Sequence, residues 1–137
     1  IGSTIQRVGH QEKLQQYQYI VESTTSVVGM VDQNYVYHYV NDAYCAAFNK
    51  TRQEIIGSTV AGLFGQEMFD QTLKPHYDRC FDGEKVTFQS WVDLPGYGRR
   101  FMDVHYSPFW GSDQKMSAVV VSAHDITETK LLESLLV

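Results

Sequence analysis

Apolar residues recur along the chain with two different periods, and the switch between them divides it. In 10–23, HQEKLQQYQYIVES, Leu14, Tyr17, Ile20 and Val21 stand three or four apart, which predicts an N-terminal helix. Segments 26–32 (SVVGMVD) and 35–40 (YVYHYV) are β-rich and alternate, with the turn pair Gln33-Asn34 between them, so an antiparallel hairpin is expected. The helical period then returns. Asn41 precedes DAYCAAF, where its side chain can accept the free amide protons of a helix start. Thr51 and Glu54 have capping-box spacing, and Gly57 is a natural stop. VAGLFG follows as a short turn. The longest helix is expected over 66–83, with Met68, Phe69, Leu73, Tyr77, Cys80 and Phe81 near one face and Pro75 able to bend it.

The last third alternates again. Three strands are predicted over 85–94, 99–110 and 115–126, separated by PGYG and GSDQ. After them Leu131, Leu132, Leu135 and Leu136 mark a new apolar-faced helix that begins just as the chain ends. Such a helix is expected to lead on to something else. Neither strand group makes a stable sheet alone. The fold class is therefore α+β: one five-stranded antiparallel sheet with short helices packed on one face, an N-terminal helix and a C-terminal exit helix.

Composition narrows the function classes. The 137 residues suit one domain, and 43% apolar with 20% charged residues is ordinary for a soluble protein. Net charge is −5 and Lys and Arg form no run longer than Arg99-Arg100, so no nucleic-acid partner is expected. No apolar stretch reaches membrane-spanning length, so no direct membrane contact by this chain is expected and the location is read as cytoplasmic. Cys45 and Cys80 are isolated, read as small hydrophobes in a reducing compartment.

Three stretches carry a resemblance to a known family. YHYVNDAYCAAFNKTRQEIIG (37–57) resembles the second strand and Asn-x-Ala helix start of PAS domains, RRFMDVHYSPFW (99–110) their fourth strand, and VVVSAHDITETK (119–130) their last strand with its Asp-Ile-Thr-Glu exit. The resemblance implies a sensor domain over 11–126, preceded by a flank at 1–10 and followed over 127–137 by the start of a helix to an output domain, such as a histidine kinase or diguanylate cyclase. It further implies a small-molecule pocket between sheet and central helix, with Tyr44, Phe48, Phe69, Leu73, Tyr77, Trp91, Arg100 and Tyr106 as candidates. A signal relay through Asp125, Thr127 and Glu128 follows from the same likeness. Asp125 is expected to cap the exit helix, with Glu128 reaching back. A homodimer through the apolar flanking helices is also expected.

Other chemistries are weaker on the residues. Haem would need an axial imidazole, and His76 beside Pro75 is off the best core face. No Asn-Cys-Arg-Phe stretch of the flavin photosensors is present, so neither cofactor is expected. His10, His38, His76, His105 and His124 show no metal-ligand spacing. Asp103 and His105 share a strand face but lack a nucleophile or phosphate loop, so no catalysis is expected. Arg99 and Arg100 could clamp a carboxylate. The many aromatics either line a ligand pocket or simply fill the core, and a ligand-free dimerisation module is the competing reading.

Overall fold

The computed structural model describes residues 26–111 and 116–136. The helix expected over 10–23 lies outside them. Five strands, β1 (Val27–Asp32), β2 (Tyr37–Val40), β3 (Val86–Leu94), β4 (Gly98–Trp110) and β5 (Met116–Asp125), form one antiparallel sheet in the order β2-β1-β5-β4-β3. The last strand thus lies in the centre, paired with β1 on one side and β4 on the other.

Between β2 and β3 run α1 (Asp42–Phe48), α2 (Arg52–Ile55), α3 (Val60–Phe64), α4 (Gln66–Met68), a five-residue π turn (Phe69–Leu73) and α5 (Lys74–Phe81); α6 (Thr127–Leu135) leaves the sheet. The central helices cover the sheet face that carries Val31, Val92, Val104, Tyr106, Val119 and Val121, all buried. Thr51 and Glu54 make the expected capping box. The expected bend at Pro75 takes the form of the π turn just before it. Pro75 has no amide proton and its ring crowds the carbonyl four residues back, and a widened turn relieves both.

The strand expected over 35–40 begins later. Tyr35 adopts a left-handed backbone (φ 62°) and Val36 makes only an isolated bridge to Thr59, so pairing starts at Tyr37. The Tyr35 hydroxyl instead donates to Asp78 Oδ1 at 2.5 Å, tying the hairpin turn to α5.

Two close approaches fix α1 on the sheet. Gly29 faces Tyr44, and a Cβ there would stand 3.2 Å from the Tyr44 ring, so the missing side chain lets that ring lie on β1. At the β3–β4 turn, Gly96 N–H donates to Ala47 O at 2.9 Å. Asn41, fully buried, joins the same elements: its Oδ1 accepts from Tyr44 N and Val28 N, and its Nδ2 donates to Ser26 O.

Candidate functional site

The end of β5 is bolted to the start of β4. Asp125 divides its two oxygens. Oδ1 accepts from Thr127 N at 3.0 Å and from the Thr127 hydroxyl, while Oδ2 accepts from Arg100 Nε at 2.7 Å. Buried Thr127 in turn accepts from Phe101 N at 2.8 Å, and Ile126 N donates to Phe101 O at 2.8 Å. Both backbone groups of Phe101 are therefore spoken for by the exit. The expected capping geometry differs in detail. The helix N-cap is Ile126, Asp125 holds the turn one residue earlier, and Glu128 is exposed with no capping hydrogen bond. The reason is that Thr127, drawn inward to Phe101, takes the bond that a box would have used.

Partial burial works to raise the Asp125 carboxyl, but the bonds from Thr127 and Arg100 outweigh it and hold it below the ordinary 3.8. A lowered folded-state value means the joint's stabilisation is complete above the unfolded carboxyl range and lost as pH falls through the lowered value. A titration followed at the Thr127 amide by NMR should therefore show a midpoint below 3.8. A midpoint at or above it would contradict this bonding.

Between the sheet and the central helices lies a small inner cavity of about 40 Å³, lined among others by Tyr44, Phe48, Leu73, Tyr77, Phe88 and Tyr106. That is room for a few waters at most, far below the roughly 300 Å³ and upward of small-molecule sites. Five sequence candidates thus meet here: Tyr44, Phe48, Leu73, Tyr77 and Tyr106. Four tyrosines, Tyr37, Tyr44, Tyr77 and Tyr106, are almost wholly buried. The Tyr37 and Tyr44 hydroxyls hydrogen-bond each other, and the Tyr77 ring stacks on Tyr106 with centroids 4.3 Å apart. Burial pushes all four phenols well up, so the cluster is neutral at any physiological pH. Burial also pushes the Cys80 thiol beneath them up to about 11, which leaves it an inert hydrophobe.

The remaining candidates lie elsewhere. Phe69 is buried against Tyr35, 5.0 Å between centroids, beside the cavity and not on it. Trp91 does not reach the cavity: odd positions of β3 point to the opposite sheet face, where Trp91 packs on Phe101 (5.0 Å) and beneath Arg99 (5.4 Å). Arg99 and Arg100 diverge for the same reason and cannot clamp one group together. Arg100 lies on the cavity face but past its end, in a second, open cleft of about 480 Å³ that also carries Tyr97, His124 and Asp125. His76 stacks on Phe88 at 3.8 Å and donates Nδ1–H to Thr72 O at 2.6 Å. Asp103 accepts from His105 at 3.1 Å on the sheet face away from the cavity, near His124. Among the described residues no cluster of three metal-ligating side chains occurs, and no helix is long and apolar enough to cross a membrane.

A family model described as the PAS fold matches residues 21–131. No curated protein matches the chain. Among solved structures, a PAS domain from Colwellia psychrerythraea is similar over 84% of this chain and 98% of its own, at 14% identity and a TM-score of 0.72. The PAS domain of Bordetella pertussis BvgS is similar over 90% of this chain and 94% of its own, at 22% identity and TM-score 0.60. A Vibrio cholera VqmA–ligand–DNA complex is similar over 82% of this chain, at 17% identity and TM-score 0.72, but the match spans only 50% of the VqmA chain. That last structure corrects the expectation of no nucleic-acid partner, because this fold occurs in a receptor solved on DNA. The scattered Lys and Arg of this chain describe its own surface only. The match spans only half of the VqmA chain, so they say nothing of the other half. With a family model spanning most of its length and PAS domains among the solved structures of similar fold, the chain belongs to the PAS fold family.

Proposed function

We propose that this chain is the sensory input module of a larger signalling protein, without catalysis of its own, and that it reports through the β5–α6 joint to an output domain of the histidine kinase or diguanylate cyclase type. The observation that carries the reading is the joint itself. Met102 and Ala123 line the inner cavity, and in the sheet register Met102 stands opposite Asp125. A change in the sheet–helix layer is therefore two residues from the Arg100–Asp125–Thr127 bolt. Input that favours one arrangement of β4 against β5 shifts the population of exit-helix positions, and only by as much as its affinity differs between them.

The test is Asp125→Ala in the parent protein. It removes the acceptor of Thr127 and the partner of Arg100 while leaving the core untouched, so the fold should persist with a loss of about 1 kcal/mol. The output should stop following the signal. Normal signal response from a folded Asp125→Ala protein would sink the relay.

A second reading draws on two observations. The inner cavity is nearly filled, and Leu131, Leu132, Leu135 and Leu136 of the exit segment are exposed. A homodimerisation module would look the same. Sedimentation should show a halved mass for Leu132→Glu under either reading, whereas only the dimerisation reading expects the output of a folded Asp125→Ala parent protein to stay normal.

A further inference from the structure

The open cleft at the relay joint has the size and the polar equipment of a ligand site, in contrast to the inner cavity. Its volume, about 480 Å³, falls within the range of roughly 300–1,000 Å³ typical of small-molecule sites. The two spaces share Val27, Leu94, Met102 and Ala123 in their linings, so the cleft has an apolar floor that doubles as the wall of the core. At its rim stand Arg100 and Asp125, and their hydrogen bonding decides which charge a ligand meets. Both Asp125 oxygens are engaged, Oδ1 by Thr127 and Oδ2 by Arg100. Among the described residues Arg100 spends one donor, Nε, on that bond. A guanidinium has five N–H donors in a planar fork matched to a carboxylate. The cleft therefore has an engaged acid and a cation with an edge to spare.

We propose that this cleft binds a small organic carboxylate, its apolar body on Leu94, Met102 and Ala123 and its carboxylate on the Arg100 fork, in competition with Asp125. The inference rests on the sensory reading above and supplies its input. Two carboxylates sharing one guanidinium each hold it less tightly than one. Entry of the ligand thus weakens the Arg100–Asp125 bond while the Thr127 bonds to Oδ1 remain. The clasp between β4 and β5 loosens at the residue from which α6 departs, and binding becomes signal with no intervening element.

The experiment uses the 137-residue chain and three probes sharing a ring: sodium benzoate, benzyl alcohol and benzylamine, compared by titration calorimetry. Benzoate should bind at least tenfold more tightly than either of the others. Arg100→Gln should abolish that preference. Asp125→Asn, which removes the competing charge, should tighten benzoate at least threefold. This last effect is one that a merely structural role for Asp125 would not produce. Should Arg100→Gln not fold, Arg100→Lys decides: it keeps the charge, loses the fork, and should weaken benzoate at least fivefold. Equal binding of benzyl alcohol, preference for benzylamine, indifference of benzoate to the Arg100 change, or no binding of any probe overturns the proposal. So does an Asp125→Asn chain that binds benzoate no better. None of these touches the relay, which the Asp125→Ala parent protein tests through its output and not through the affinity of any probe.

Discussion

Replacing Asn41 with alanine should lower the melting temperature by about 10 °C or more, the largest loss expected from any single polar side chain among the described residues. Asn41 is fully buried and serves three backbone groups on two elements. Its Oδ1 accepts from Tyr44 N at 3.0 Å, capping α1, and from Val28 N at 3.1 Å, in β1. Its Nδ2 donates to Ser26 O at 2.9 Å. Alanine removes all three side-chain bonds, and Tyr44 N keeps only its backbone bond to Asn41 O at 3.1 Å. Each buried group left without a partner costs about 1–3 kcal/mol, and the lost cap alone about 1. Water reaching Ser26 offsets some of this, and the sum is about 3–5 kcal/mol, a large share of a total of about 5–15. Asn41→Asp keeps both acceptor bonds but sets a buried carboxylate oxygen against Ser26 O, so it should recover little of the loss. Thermal denaturation of the three proteins checks the order. An alanine variant within a few degrees of wild type would show that Asn41 is only a cap.

Gly96→Ala should be comparably damaging, for a steric reason. A Cβ at Gly96 would stand 2.1 Å from Ala46 O and 3.2 Å from Ala47 O, both backbone atoms of α1. No rotamer relieves a clash between a Cβ and a helix carbonyl. The β3–β4 turn must lift off α1, breaking the Gly96 N–H bond to Ala47 O, and overpacking of this kind costs about 1–3 kcal/mol or more on top of the lost bond. The lift also moves Leu94 and Tyr97, which line the open cleft, so stability and benzoate binding should fall together. Amide exchange at Gly96 and its neighbours reads the event directly. A variant with native melting and a protected turn would mean the turn has slack that this close approach does not suggest.

Local chemistry made much of this domain legible from residue order. Alternating runs marked all five strands, and side-chain oxygens at Asn41 and Thr51 marked two helix starts. The sequence Asp-Ile-Thr marked the exit. These signals are local, since a cap or a period needs only a few neighbouring residues to be recognisable. Even there, Tyr35 shows the limit. Its β propensity was overruled by a left-handed turn that brings its hydroxyl to Asp78, 43 residues on.

Distance and facing were decided by tertiary structure alone. One residue of strand register moves every side chain to the other face, so Trp91 could be placed among the pocket aromatics and yet lie on the far side, against Phe101. The adjacent Arg99 and Arg100 were parted by the same alternation. That Asn41 reaches β1 as well as its own helix, that Gly96 lies under α1, and that aromatic side chains leave only about 40 Å³ inside depend on which elements meet and how closely. Short-range chemistry made the described strands, the caps at Asn41 and Thr51 and the family likeness readable in the residue order. The filled interior, the open cleft and the division of Asp125 between Thr127 and Arg100 came only with the packing, because each joins residues brought together by the sheet and not by the chain.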